Sequence, residues 1–318
     1  MPFLESIGSI SAQGFGYNKV FKPVVTGGTL TPDATYYYRT FTANGTLEIS
    51  GGSLAYEALL VAGGGGGGYS AGNPGGGGGG GGLLNPSGTL SSGSYNITVG
   101  GGASANAATK GGNTTFAGYT ALGGGTGGSY EYAPQSGGSG GGAAPEYPYT
   151  TGGLGTSPQG YDGGPASSGY FGAGGGGGWN SNGFTAVGTV AGGTGGNGAY
   201  VEFSSWGSVT SVGYYQSSSS RWQYAGGGAG GSEYKSINGV VSSASTQSGQ
   251  CGGGNGGNSS LGNPSYAVAT AGATNSGGGG GGGGGYYFTS GGSGTGNGSS
   301  GKNGGSGVVM IRYLKSAV

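Results

Sequence analysis

Residues 58–68 read Ala-Leu-Leu-Val-Ala followed by six consecutive glycines, and this stretch decides the fold. A short apolar run bounded by glycine is typical of a buried β-strand, and here the strand continues directly into polyglycine. The same arrangement recurs down the chain, with further runs of five or more glycines at 75–82, 174–178 and 277–285. The fold must therefore give polyglycine a structural role.

The composition makes ordered polyglycine costly. Of the 318 residues 95 are glycine, and the formal net charge is zero. Zero net charge argues against disorder, and the lack of a Gly-X-Y repeat excludes collagen. Each glycine loses roughly 0.5–1 kcal/mol more than alanine when its backbone is fixed, a cost that a dense backbone hydrogen-bond lattice could offset. Polyglycine can form a helix of polyproline-II type whose amides point outward to neighbouring helices. We therefore predict packed polyglycine-II helices, with flexible linkers as the alternative.

The clearest strand pattern lies ahead of the first glycine run. Two segments rich in β-branched and aromatic residues, 36–43 and 46–50, flank Asn44-Gly45. An Asn-Gly pair between such segments is a strong β-hairpin signal, because both turn positions need a positive φ. A third strand follows and ends at Val61. This part of the chain is therefore predicted to begin with a hairpin.

The chain closes with another strand, Val308-Val309-Met310-Ile311-Arg312-Tyr313-Leu314. Its natural partners are the strand at Leu59 or the hairpin. No segment has convincing helical periodicity with capping residues. The sequence therefore predicts an all-β fold: an antiparallel β-sheet or sandwich with packed polyglycine-II (polyproline-II-type) helices. Other strand candidates lie at 83–84, 95–99, 113–116, 119–122 and on both sides of Asn238-Gly239.

One internal repeat links strands to glycine runs. Residues 118–123 read Gly-Tyr-Thr-Ala-Leu-Gly and residues 183–188 read Gly-Phe-Thr-Ala-Val-Gly, and both precede a Gly-Gly-Thr-Gly-Gly sequence. Two similar copies indicate that the chain repeats a packing unit.

Few residues are suited to catalysis or metal binding. The chain has no histidine, which removes His-based triads, His acid–base chemistry and His metal sites. Cys251 is the single cysteine and has no histidine to activate it, so we expect a packing residue rather than a nucleophile. Nothing in the spacing of Glu131, Glu146 and Asp162 indicates the paired carboxylates of a glycoside hydrolase. We therefore expect no enzymatic activity, cofactor or metal.

Two aromatic stretches, at 129–172 and 204–224, are the better functional signal. Tyrosine with serine, glycine and asparagine is the composition of antibody paratopes. Proline, serine and single glycines interrupt the lattice there, so the aromatics are predicted to lie on loops that bind a polysaccharide or a membrane-protein loop. The alternative is that they cover the lattice and fill space. The predicted receptor-binding residues are Tyr130, Tyr132, Tyr147, Tyr149, Tyr161, Trp179, Trp206, Tyr214, Tyr215 and Trp222.

A resemblance to a known family rests on Leu59-Leu60-Val61-Ala62-Gly63, Tyr95-Asn96-Ile97-Thr98-Val99-Gly100, Gly112-Asn113-Thr114-Thr115-Phe116, Thr120-Ala121-Leu122-Gly123 and the closing residues 305–313. In this order the motifs resemble the glycine-rich domain of bacteriophage tail fibre and tail appendage proteins. The chain is also similar to the glycine-rich adhesins at the tips of long tail fibres, which pair a polyglycine sandwich with variable aromatic loops. The resemblance implies a virion protein, located in the tail, that takes part in host recognition.

The expected organisation follows from the distribution of glycine. Residues 1–28 are the least glycine-rich part and are predicted to be a virion attachment segment, with an edge strand of the main sheet as the alternative. Residues 29–318 are predicted to form one glycine-rich β/polyglycine domain that carries the aromatic loops.

The expected partners are a host cell-surface receptor, another tail or fibre protein, and a second copy of the chain. The thinly scattered charges argue against nucleic-acid binding, and no apolar run is long enough for membrane insertion. The first residues lack a signal-peptide pattern, so we expect synthesis in the host cytoplasm. The alternative functions are a structural glycine-rich protein (an extracellular filament, matrix or virion decoration subunit) and an ice-binding protein.

Overall fold

The computed structural model describes residues 22–69, 72–145, 150–167, 172–187, 190–237, 240–243, 247–258, 267–288 and 299–318. Within these residues two packed β-sheets adjoin a lattice of extended glycine-rich segments, so the predicted all-β class is confirmed. The helical elements there are α1 (Ser204–Thr210) and a 3₁₀ turn at Lys315–Ala317. The strands are β1 (Val24–Thr26), β2 (Thr29–Pro32), β3 (Tyr36–Phe41), β4 (Gly45–Ser50), β5 (Leu54–Val61), β6 (Leu83–Leu84), β7 (Ser87–Leu90), β8 (Gly93–Ile97), β9 (Thr114–Phe116), β10 (Tyr119–Ala121), β11 (Tyr214–Gln216), β12 (Arg221–Gln223), β13 (Glu233–Ile237), β14 (Val240–Ser243), β15 (Gly285–Phe288) and β16 (Val308–Leu314).

The larger sheet has six strands and holds the closing strand β16 at its centre. The strand order is β2-β3-β16-β5-β6, and β7 also pairs with β5. β16 lies antiparallel between β3 and β5, with Ile311 opposite Arg39 on one side and Ala58 on the other. Both faces of β16 are largely buried, which is why its sequence is a nearly continuous apolar run. The predicted pairing of the closing strand is confirmed.

The hairpin predicted at Asn44-Gly45 is wrong. β3 and β4 belong to different sheets, because β4 lies in a three-stranded sheet with the order β1-β4-β8. Both edges of β3 are already paired, by β2 and β16, so β4 cannot add beside it. The chain instead crosses to the second sheet, and Phe41 and Leu47 enter one core between the sheets. The Asn44 side chain accepts a hydrogen bond from the Val99 amide at 2.9 Å near this crossing.

Hairpins do occur elsewhere in the described residues, and two of them lie at predicted strand candidates. β9 and β10 pair around Ala117 and Gly118, whose φ angles of 48° and 84° are the positive values that a tight turn needs. β13 and β14 pair with Ile237 opposite Val240, as predicted, although Asn238-Gly239 lies outside the described residues.

β1 joins the sandwich as the edge strand of the three-stranded sheet, antiparallel to β4. Residues 1–21 lie outside the described part of the chain. The attachment role of residues 1–28 therefore stays a prediction.

Residues 75–82 form the centre of the glycine lattice. Every third backbone N–H group of this run donates to the same neighbouring segment. The N–H groups therefore form hydrogen bonds to three neighbouring segments in turn, at N···O distances of 2.7–3.0 Å. The carbonyl groups accept from three other segments at 2.8–3.1 Å. A three-residue period with hydrogen bonds between segments is the geometry predicted for polyglycine-II helices, and a flexible linker would not show it. The neighbours are 122–128, 174–177 and 277–283 as acceptors, and 62–68, 139–142 and 228–231 as donors.

Close backbone approach explains why these positions are glycine. A Cβ atom on Gly78 would lie 2.2 Å from the carbonyl oxygen of Gly65, and one on Gly79 would lie 2.3 Å from that of Ser139. Both distances are far inside van der Waals contact, so a side chain would push the segments apart and break hydrogen bonds. The missing side chains are what allow the N–H and C=O groups of adjacent segments to meet.

The lattice has a proximal end beside the sandwich and a distal end away from it. The chain runs outward from β5 through residues 62–68 and returns through 75–82 to β6. At the proximal end the Ala62 amide donates to the Gly82 carbonyl at 2.9 Å. A rise of about 3.1 Å per residue places the two ends roughly 20 Å apart.

The six-stranded sheet is buried on both faces. Leu60 and its neighbours on one face pack against the three-stranded sheet. On the other face, Leu59 and Met310 contact Trp206 and Tyr224, so residues 199–225 form a cover over the sheet. Successive residues of a strand point to opposite faces, so β5 contributes to both clusters.

Candidate functional site

The structure separates the ten predicted binding residues into groups. Tyr147 and Tyr149 lie outside the described residues. Four others lie on α1, β11 or β12, so the prediction that they occupy loops is wrong for these four. Their stretch adopts regular structure because it packs on the outer face of the six-stranded sheet, and tertiary contact overrides local propensity. The four are Trp206, Tyr214, Tyr215 and Trp222.

Trp206 is a core residue. Its side chain is 2% exposed, and its ring meets Tyr38 edge-on with centroids 5.8 Å apart. The guanidinium of Arg312 lies 4.6 Å from the ring centroids of both Trp206 and Tyr36, and Arg312 also pairs with Glu57 at 2.7 Å. A ring buried in this way is not available to a receptor.

The β11–β12 hairpin presents two tyrosines to solvent. Tyr215 is paired with Trp222, and the ring centroids are 5.4 Å apart. Trp222 is half-buried against α1, where a Cβ atom on Gly207 would lie 2.3 Å from the Trp222 side chain. Tyr214 and Tyr215 are exposed. The hairpin therefore packs through its tryptophan and leaves its tyrosines free to bind.

Tyr130 and Tyr132 lie at the distal end, just after the lattice segment 122–128. Tyr130 is 58% exposed. Tyr132 is half-buried, its amide donates to the Ser129 hydroxyl at 3.3 Å, and burial raises the pKa of its own hydroxyl. Of this pair, Tyr130 offers the larger surface for binding.

Tyr161 and Trp179 line one groove with a volume of about 340 Å³. They are distant in sequence, but the Tyr161 amide donates to the Gly178 carbonyl at 3.0 Å, which brings two lattice segments together. The Trp179 amide donates to the Ala225 carbonyl at 3.0 Å and so joins the groove to the cover over the sheet. The groove therefore lies at the proximal end of the lattice.

Polar side chains of Asp162, Asn180 and Asn182 share this groove with the two rings. Asp162 Oδ1 accepts from the Gly155 amide at 2.7 Å, and the Asp162 amide donates to Asn182 Oδ1 at 3.2 Å. The backbone amide of Asn180 donates to the Asn197 carbonyl at 2.8 Å. Hydrogen bonds thus hold these backbone segments, and a few polar residues share the lining with two aromatic rings, as in many small-molecule sites.

Among the described residues, the lining of the groove carries a single carboxylate. Asp162 is the carboxylate among its lining residues, whereas Glu131 lies at the distal end and Glu146 lies outside the described residues. A glycoside hydrolase needs two carboxylates that flank the scissile bond. Over the described part of the chain, no group of three His, Cys, Asp or Glu residues could hold a metal ion.

Sequence reasoning missed Asn180 and Asn182 and considered Asp162 only as a hydrolase residue. Asparagine is common between glycines in this chain, so no local pattern distinguishes these two positions. They converge on Asp162 only because two lattice segments lie side by side, and glycine runs carry no sequence signal for their neighbours.

Cys251 is buried, and burial raises the pKa of its thiol to about 11 from an ordinary value of 9.0. The thiol is therefore protonated at neutral pH, which fits a packing residue and not a nucleophile.

We expect this pKa to make the protein less stable in alkali. Above pH 9 the folded state retains the Cys251 thiol proton, whereas the unfolded state releases it. The stability that the protonated thiol contributes is therefore complete below pH 9 and is lost as the pH rises to about 11. Relative to Cys251→Ala, the wild type should lose about 2 kcal/mol of unfolding free energy over this range. Urea unfolding of both proteins at several pH values measures the difference. Parallel pH profiles would contradict the expectation.

No helix among the described residues combines the length and hydrophobicity needed to cross a bilayer. No curated protein matches the chain. Residues 40–314 match a family described as a glycine-rich domain, and this match extends from β3 to the end of β16. The chain therefore belongs to the glycine-rich domain family.

Proposed function

We propose that this protein is a non-enzymatic bacteriophage tail fibre or tail-tip component that binds a host surface receptor, either a polysaccharide or an outer-membrane protein. The resemblance of its strand and glycine motifs to tail fibre domains supports the assignment. Its proposed location is the virion tail, and its proposed partners are the receptor, another tail or fibre protein, and a second copy of the chain.

The observation that carries the proposal is the set of exposed tyrosines on a hydrogen-bonded scaffold. Tyrosine offers a flat face and a hydroxyl group at little entropic cost. The lattice anchors the segments that carry Tyr130 and Tyr161, and pairing with β12 holds Tyr214 and Tyr215, so little further ordering is needed when a receptor binds. The tyrosines are Tyr130, Tyr161, Tyr214 and Tyr215.

A structural role is the second candidate, and one observation favours it. Trp206 and Tyr224 are buried in the cover over the sheet, and Trp222 packs against Gly207. These rings fill space, as the packing alternative predicts. A filament, matrix or virion decoration subunit would use the lattice for stiffness and would be expected to polymerise when pure.

Labelled protein is expected to adsorb to a subset of bacterial strains and to block infection of those strains by phage. An aromatic hot spot typically carries about 2 kcal/mol of binding free energy, which corresponds to at least about tenfold in affinity. At least one alanine variant of the four exposed tyrosines should therefore adsorb at least about tenfold less than the wild type, with an unchanged melting temperature.

Tyr119→Ala is the matched control, because Tyr119 is 43% exposed but lies on β10, outside the aromatic stretches. Wild-type adsorption by all four variants would contradict the proposed binding surface. Lack of adsorption together with spontaneous polymerisation of the wild type would favour the structural role.

A further inference from the structure

The geometry points to the groove between Tyr161 and Trp179 as a binding site for a pyranose ring, neutral or carrying an amino group, of a surface polysaccharide. Its biological meaning rests on the proposed function, but sugar binding is a property of the groove itself and can be measured without cells.

The aromatic walls provide the surface that a sugar ring needs. Tyr161 is 50% exposed, and Trp179 is half-buried and steadied by Phe203, which meets it edge-on at 72° with centroids 6.3 Å apart. The faces of aromatic rings are electron-rich, and the C–H groups on one side of a pyranose are weak donors that pack against such faces. A volume of about 340 Å³ lies at the lower end of small-molecule sites, which run from roughly 300 to 1,000 Å³.

The polar groups of the groove match the hydroxyls of a sugar. Asp162 Oδ1 and Asn182 Oδ1 are already held by backbone amides. Among the described residues, no hydrogen bond engages the Asn180 side-chain amide, the Asn182 Nδ2 atom or Asp162 Oδ2. These atoms offer donors and an acceptor beside the rings, and a sugar hydroxyl can serve as either partner.

The charge of the groove selects among sugars. Asp162 is the one ionisable carboxylate of the lining, and no Lys or Arg lies among the lining residues. A carboxylate attracts an ammonium group and repels another carboxylate within a few ångströms. Amino sugars and neutral sugars should therefore bind, and uronic or sialic acids should bind more weakly.

The backbone around the groove is already ordered for binding. The Gly140 amide donates to the Tyr161 carbonyl at 3.0 Å, in addition to the bonds that hold Asp162 and Asn180. A site that needs no rearrangement loses little entropy when it captures a weakly binding sugar.

Saturation-transfer NMR on the full chain tests the inference with the methyl glycosides of glucose, galactose, mannose and glucosamine, and with methyl glucuronide as the acidic probe. We expect saturation transfer to at least one neutral or amino glycoside and severalfold weaker transfer to the glucuronide. Tyr161→Ala should weaken the bound glycoside at least about tenfold. Tyr119→Ala, which removes an exposed ring that is not among the lining residues of the groove, should leave it unchanged.

Asp162→Asn separates charge from structure. Asparagine can still accept from the Gly155 amide, so the groove should keep its backbone structure, while the preference for neutral glycosides over the glucuronide should be lost. If Tyr161→Ala unfolds, Asn180→Ala is tested in its place, because the exposed Asn180 side chain can be removed without disturbing the core. This variant is expected to bind the same glycoside severalfold more weakly than the wild type.

Three results would overturn the inference: no transfer to any neutral or amino glycoside, equal losses in Tyr161→Ala and Tyr119→Ala, or unchanged discrimination in Asp162→Asn. The adsorption experiment is independent of these results. If the protein adsorbs to cells but binds no sugar, the sugar site is rejected, the receptor-binding proposal stands and a protein receptor is favoured. If it binds a sugar but does not adsorb to cells, the sugar site stands and the proposed function is rejected.

Discussion

Gly279→Ala is expected to destabilise the protein by about 3 kcal/mol, near the upper end of what overpacking costs. A Cβ atom at this position would lie 2.0 Å from the Gly78 carbonyl oxygen and 2.6 Å from the Gly78 carbonyl carbon. Both contacts are backbone atoms of the central lattice segment, so no flexible side chain can move away. Separating these two segments would also weaken the bond from the Gly78 amide to the Gly280 carbonyl, which is 2.8 Å long.

Gly101→Ala is the matched control for this substitution. Gly101 also lies in a glycine-rich segment, but a Cβ atom there would have no heavy atom within 4 Å. Alanine leaves the unfolded chain less backbone freedom than glycine does. The free energy of unfolding of this variant should therefore be unchanged or higher by about 0.4–1 kcal/mol. Urea unfolding of the two variants and the wild type measures the difference. Equal stability of all three proteins would show that residues 277–285 behave as a linker.

Trp206→Ala is expected to cost about 3–5 kcal/mol, the range for removal of a large buried aromatic side chain. The substitution removes the edge-on contacts to Tyr38 and Phe203, whose centroids lie 5.8 and 6.3 Å away. It also exposes the Arg312 guanidinium, which stacks 4.6 Å from the Trp206 ring centroid. Denaturant unfolding should therefore show a large loss of stability.

Binding per folded molecule should not change in Trp206→Ala, because the ring is buried. Trp206→Phe keeps much of the aromatic volume and should recover part of the lost stability, which separates packing from a general effect of mutation. Adsorption per folded molecule that falls tenfold while stability is unchanged would restore Trp206 as a binding residue.

Much of the sandwich could be predicted because its signals are local. β16 is a nearly continuous apolar run and β5 ends in one at residues 58–61, and a strand buried on both faces needs such a run. The error at Asn44-Gly45 has a non-local cause. The turn residues favour a hairpin, but both edges of β3 are taken by strands distant in the chain, so the chain crosses to the other sheet.

The internal repeat also shows that local sequence does not determine which backbone segments pair. In the first copy, Tyr119–Ala121 is a hairpin strand paired with β9. In the second, Phe184 donates to the Thr194 carbonyl and accepts from the Gly175 amide, so it belongs to the lattice. Nearly the same six residues take two structures because different neighbours are available to their backbones.

The sequence by itself determined that the chain is all-β and that the closing strand pairs with the first long strands, and it favoured ordered polyglycine over flexible linkers. Tertiary structure alone decided which glycine segments are neighbours, which aromatic rings are buried and which residues meet in the groove. The physical reason is that glycine has no side chain. Every run offers the same N–H and C=O groups, so the partners of a run such as 75–82 depend on where the rest of the fold anchors its two ends.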